Sequence, residues 1–168
     1  MSDRLPEQLD PWRMVAARRV FEGSVPLADM PRLGSLLADD AGEVRYSMEF
    51  GRDIGGVAFV ALVIDAGLPL ECQRSLQRFV LPVHVEQRIG LIRDETDEDA
   101  LPPGYEAQLV QGESLAPLDL LEDELILAVP AVPAMSGTEA MDAEWAPAAE
   151  EQDAINPFAA LKALKRDT

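Results

Sequence analysis

Polar and apolar residues alternate most cleanly at positions 43–50. Val44, Tyr46, Met48 and Phe50 face one way, and Arg45, Ser47 and Glu49 the other. That period of two predicts a half-buried strand. The run VAFVALVID at 57–65 is apolar almost throughout and fits a central strand. AGLPLECQR reads as a further extended stretch. RFVLPVHVEQRIGLI at 78–92 alternates again, with Phe79, Leu81, Val83 and Val85 on one face. Pro82 carries no backbone N–H, so this strand belongs at an edge or a bulge. Near the start, Pro6 and Pro11 predict an extended approach to a strand over 15–25. Arg18 and Arg19 stand on opposite sides of that strand.

Helical spacing occurs in three places. Leu27, Met30, Leu33, Leu36 and Leu37 predict a helix whose start Pro31 kinks or delays. Leu118, Leu121, Leu125 and Val129 form a buried stripe on a helix over 118–128, which Pro130 and Pro133 end. Asp119, Glu122, Asp123 and Glu124 occupy its first half, where the helix dipole favours negative charge. At 156–168, Asn156 can cap a helix that Pro157 opens, with Phe158, Leu161 and Leu164 on one face and basic residues at its end. Between 93 and 105 the chain turns acidic and contains Pro-Pro-Gly, a loop; YEAQLV then reads as a short returning strand. These elements predict an α+β domain over 1–133, a mainly antiparallel sheet or partial barrel packed by two or three helices. An acidic flexible linker over 134–155 and the short amphipathic C-terminal helix over 156–168 complete it.

Charge changes this picture by its placement. The 168 residues carry 31 acidic and 14 basic side chains, a net charge of −17. Positions 94–153 hold 17 of the acids and no Lys or Arg, so the remainder balances at 14 (31 − 17) against 14. This third of the chain is a solubilising surface or a docking surface for a basic protein. Phosphate neutralisation requires Lys and Arg, so it is not a nucleic-acid contact. The N-terminus has no apolar signal core, and no apolar run reaches the ~20 residues of a membrane span. One cysteine forms no internal disulfide and fits a reducing compartment. A soluble cytoplasmic protein with no membrane contact is the expectation.

The parts for chemistry are few. Cys72 and His84 are the lone cysteine and the lone histidine. As a dyad on neighbouring strands they would suit a cysteine-dependent hydrolase or a nuclease, but a small strand residue and a polar strand-face residue describe them better. Two ligands fall short of a structural zinc site. The acidic run at 94–99 lacks the glycine and terminal glutamate of a calcium loop. No phosphate-binding or dinucleotide motif is present, so no cofactor is expected. Arg74, Arg78, Arg88 and Arg93 could contact RNA, but no aromatic platform interleaves them in sequence.

Four stretches in order, LDPWRMVAARRVFEGSVPLADMPRL, LECQRSLQRFVLPV, LDLLEDELILAVPAVP and NPFAALKALK, resemble the YceD family, the large ribosomal RNA subunit accumulation proteins of bacteria and plastids. Glu71, Cys72 and Arg74 lie in the most specific of these. The resemblance implies a non-enzymatic role in the synthesis, processing or stability of 23S rRNA. It also implies a Cys-x-x-Cys at the central segment, with a later His or Cys, as metal ligands. Here Ser75 replaces the second cysteine and the downstream ligand is missing, so the site is expected to be lost. Together, charge and resemblance predict an adaptor for a basic ribosomal or ribosome-assembly protein, with 23S rRNA contacted indirectly. Asp119, Glu122, Asp123 and Glu124 are its expected docking residues, and Asn156, Pro157, Phe158 and Leu161 a second docking element.

Overall fold

The computed structural model describes residues 5–137. In chain order the elements are helix α1 (Pro11–Ala17), strand β1 (Val20–Pro26), a 3₁₀ turn (Leu27–Asp29), the short helix α2 (Pro31–Gly34), strands β2 (Glu43–Arg52), β3 (Ala58–Glu71) and β4 (Arg78–Ile92), a second 3₁₀ turn (Glu95–Ala100), strand β5 (Glu106–Leu109) and helix α3 (Pro117–Ala128). The five strands lie in one sheet in sequence order. Each of β1 to β3 pairs antiparallel with the next, and β5 runs parallel to β4. The sheet is open rather than a barrel: β1 lies at one edge, and most of β4 beyond its short pairing with β5 is the other.

The alternating stretch is β2, with Val44, Tyr46, Met48 and Phe50 buried. VAFVALVID and AGLPLECQR fuse into the single long strand β3. It sends Val60, Leu62, Ile64, Leu68 and Leu70 into the core, none of them exposed. Each such side chain stabilises the fold by ~1.5–3 kcal/mol relative to an exposed one. Pro82 sits on the open side of β4. In the β3–β4 register it stands opposite Gly67 at a non-bonded position. Its missing N–H therefore costs no ladder bond, as an edge position allows.

Two expectations fail near the N-terminus. Pro11 opens a helix: Asp10 accepts the N–H groups of Trp12 and Arg13, and proline takes the first helical position. Strand β1 accordingly begins at Val20, not at 15. The helix expected around Leu33 is two short turns. Leu27, Met30 and Leu33 are buried, but the helix stops at Gly34 and Leu36 is 46% exposed.

Helix α3 covers the same face of the sheet as α2. Pro117, Leu120, Leu121, Glu122 and Leu125 are buried, so the stripe is shifted from the expected one: Leu118 and Val129 lie at its margins. After α3 the chain passes the β3–β4 hairpin tip, where Gln73 donates its N–H to the Pro133 carbonyl at 2.8 Å. Residues 138–168, with most of the expected linker and the whole C-terminal helix containing Asn156, Pro157, Phe158 and Leu161, lie outside the described residues.

Candidate functional site

The acids of α3 separate into two kinds. Glu122 is 3% exposed. One of its carboxylate oxygens accepts the Leu33 N–H at 2.9 Å and the other the Arg32 Nε–H at 2.9 Å. It ties α3 to α2 from inside and cannot meet a partner, which corrects its assignment to the docking surface. A buried carboxylate satisfied by a backbone donor and a guanidinium is structural. Asp123 and Asp119 are exposed, and both meet the same Arg32: Asp123 at 2.6 Å, Asp119 at 3.9 Å. The hydrogen bonds that Arg32 donates to Asp123, then to Glu122, raise its pKa and keep it charged. Three acids thus share one cation, and this corner keeps a net negative charge.

Glu124 is half-buried. Partial burial raises its pKa first, and Glu106 on β5 and Asp123 add to the rise. Three carboxylates this close together form a concentrated negative field. The second 3₁₀ turn supplies more: Glu95, Asp97, Glu98 and Asp99 are exposed. Asp94 caps this turn, and the backbone N–H and then the hydroxyl of Thr96 lower its pKa.

Glu71, Cys72 and Arg74 come together at the β3–β4 hairpin tip. Leu76 turns the chain there with φ 57°. Cys72 is fully buried, and the Met135 N–H donates to its Sγ at 3.3 Å. That N–H above all, with the Ser75 hydroxyl and the N–H groups of Ser75 and Arg74, lowers the thiol pKa to about 6. Hydrogen-bond donors, not further ligands, surround the sulfur. Cys72 with Ser75 and Met135 offers one thiolate where a structural site requires four N or S donors, so the set does not fit a metal. Among the described residues, no three His, Cys, Asp or Glu side chains group as a metal site would require.

The Cys72–His84 dyad does not form. His84 stands opposite Asp65 and bonds it through Nδ1 at 2.8 Å. Cys72 lies seven residues further along β3 than Asp65, ~23 Å at ~3.3 Å per residue.

Nor do the arginines make one patch. Arg78 and Arg88 lie ten residues apart on β4, ~33 Å along the strand. Arg78 pairs with Asp39 and lowers the pKa of that carboxyl. Arg88 lies over Phe59 at 4.9 Å and over Tyr105 at 5.7 Å, and Arg93 over Trp12 at 4.2 Å. Aromatic partners for the arginines therefore exist, contrary to the linear reading, because β3 and the loop before β5 bring them from afar. The alternation of β3 places Phe59 on the face opposite Val60, a signal that was present in the sequence. Each ring is already faced by a guanidinium, which limits base stacking on it.

No helix among the described residues is long and apolar enough to cross a membrane. No solved structure matches the chain. A curated relative from Haemophilus influenzae, the Large ribosomal RNA subunit accumulation protein YceD, is 26% identical over 171 residues, covering 97% of each chain. A family model described as Large ribosomal RNA subunit accumulation protein YceD matches residues 60–165, which is most of the chain, and the protein belongs to the YceD family.

Proposed function

We propose that this protein supports accumulation of large-subunit (23S) ribosomal RNA as a non-enzymatic adaptor in the cytoplasm, docking a basic ribosomal or assembly protein through its acidic third. The carrying observation is the set of carboxylates from Asp94 onward. Glu106, Asp119, Asp123 and Glu124 crowd one side, the acidic turn adds four exposed acids, and no Lys or Arg occurs over 94–153. Glu122 acts inside the fold as the tie that holds this surface in place. A field of one sign accelerates association with a partner of the other sign and makes it salt-sensitive.

Direct RNA binding through Arg74, Arg78 and Arg88 finds less support, since Arg78 is paired and Arg88 is stacked well away along β4. Cysteine-dependent chemistry lacks its dyad. Co-sedimentation of the purified protein with ribosomal particles tests the proposal. Association at 0.1 M salt, where screening acts over ~10 Å, should be lost at 1 M, where it acts over ~3 Å. Equal association at both salts would overturn the acid-driven reading.

A further inference from the structure

We propose that the groove along the free edge of β1 is a strand-addition site for an extended, lysine-rich segment of a basic protein. The partner's charge rests on the function proposed above; the mode of binding rests on the following geometry.

The β1–β2 ladder fixes which backbone groups are spoken for. Phe50 donates its N–H to the Arg19 carbonyl, and Leu27 donates to Gly42. The register Phe21↔Met48, Gly23↔Tyr46 and Val25↔Val44 continues that bonded parity. Val20, Glu22 and Ser24 fall at the alternate positions, so their N–H and C=O groups point away from β2. Among the described residues no backbone group bonds to Glu22 or Ser24 from the open side.

That open side is a groove rather than bare surface. A cavity of about 680 Å³ is lined by four consecutive strand residues, from Gly23 to Pro26, as a strand viewed along its edge would present. Leu5, Pro6, Tyr46 and Leu118 also line it. Among the described residues, Glu7 and Asp29 are its charged lining residues, and no Lys or Arg lines it. The Tyr46 ring packs over Gly23, where an added Cβ would stand 3.1 Å from its hydroxyl. Main-chain donors and acceptors beside apolar pockets, with carboxylates at the rim, fit an extended peptide of alternating apolar and cationic residues.

The other sheet edge differs. Outward positions of β4 carry Arg78, Val80, Pro82, His84, Glu86 and Arg88, so a proline and several charges interrupt that edge and discourage pairing. Strand β1 carries no proline before Pro26 at its end.

The test uses the full chain and a synthetic acetylated, amidated Lys-Val-Lys-Val-Lys-Val peptide. Titration followed by amide hydrogen exchange should protect the Glu22 and Ser24 N–H groups. Ser24→Pro removes one outward donor without touching the β1–β2 ladder and should weaken peptide binding by at least ~10-fold, the effect of one or two main-chain hydrogen bonds. Ser24→Ala, which alters only a side chain, should bind within ~2-fold of the parent, a difference well under ~1.4 kcal/mol. A peptide with Glu in place of Lys should bind more weakly than either. Lysine-peptide binding that leaves both amides unprotected and is unchanged in Ser24→Pro would overturn strand addition while leaving the acidic docking surface standing. No binding of the peptide would also overturn it. So would protection of both amides in the free chain that vanishes on deleting residues 138–168, since the groove would then belong to the protein's own tail. Loss of salt-sensitive particle association with amide protection retained would instead count against the adaptor role alone.

Discussion

Replacing Glu122 by alanine separates a structural acid from its docking neighbours. The side chain is 3% exposed and accepts two hydrogen bonds of 2.9 Å. Its removal leaves the buried Leu33 N–H without a partner, a cost of ~1–3 kcal/mol. The charged bond to Arg32 contributes a further ~1.5–3 kcal/mol at most. That second figure is discounted, because the Arg32 side chain is 49% exposed and keeps Asp123. The sum expected for Glu122→Ala is ~3 kcal/mol. Asp119 is 67% exposed and lies 3.9 Å from Arg32, so Asp119→Ala should cost less than ~0.5 kcal/mol. Glu122→Gln falls between them, because one amide end must turn a donor toward a donor. Urea unfolding followed by circular dichroism reads the difference. With m of ~1–3 kcal/mol per M, a loss of ~3 kcal/mol lowers the midpoint by ~1–3 M. Unfolding free energies for Glu122→Ala and Asp119→Ala that agree within ~0.5 kcal/mol would refute the internal tie.

Two further predictions concern the hairpin tip and the lone histidine. Cys72→Ala and His84→Ala should each sustain 23S rRNA accumulation nearly as well as the parent in a deletion strain, measured as the 23S to 16S ratio; loss in both would restore the dyad. The Cys72 thiol, with a folded pKa of about 6 against an ordinary 9.0, contributes stability that is fully present above pH 9 and is lost as pH falls toward 6. Cys72→Ser removes this ionisation, so the gap in urea midpoint between parent and variant should widen from pH 6 to pH 9. A gap independent of pH would show that the donors around Sγ do not stabilise a thiolate.

Much of this fold can be read along the chain because its strands obey local rules. β2 is legible from strict alternation, and Pro82 marks an open edge because proline cannot donate there. The Asp10–Pro11 step is also a local signal, a cap followed by a proline at the first helical position, but a proline read in isolation suggests extension. Around Leu33 the helical spacing misleads, because Leu27, Met30 and Leu33 are buried by packing without a continuous helix. Apolar spacing cannot distinguish those two arrangements. The parallel pairing of β5 depends on how the acidic loop crosses, which no short pattern encodes. At the site, the concentration of carboxylates is plain in sequence. Which of them are exposed is not: Glu122 and Asp123 differ by one position and both bond Arg32, yet Glu122 is buried against Leu33 and Asp123 lies at the surface. The Arg88–Phe59–Tyr105 contacts join three separate segments and become visible only in the fold.

The central claim is that surface carboxylates, rather than any catalytic group, carry the function. The most direct measurement is the 23S to 16S rRNA ratio in a deletion strain supplied with a chain carrying Glu106→Gln, Asp119→Asn, Asp123→Asn and Glu124→Gln together, with Glu122 retained and folding checked by its urea midpoint. The account predicts a folded protein that no longer restores the ratio and no longer sediments with ribosomal particles at low salt. Full restoration by this neutralised chain would contradict it.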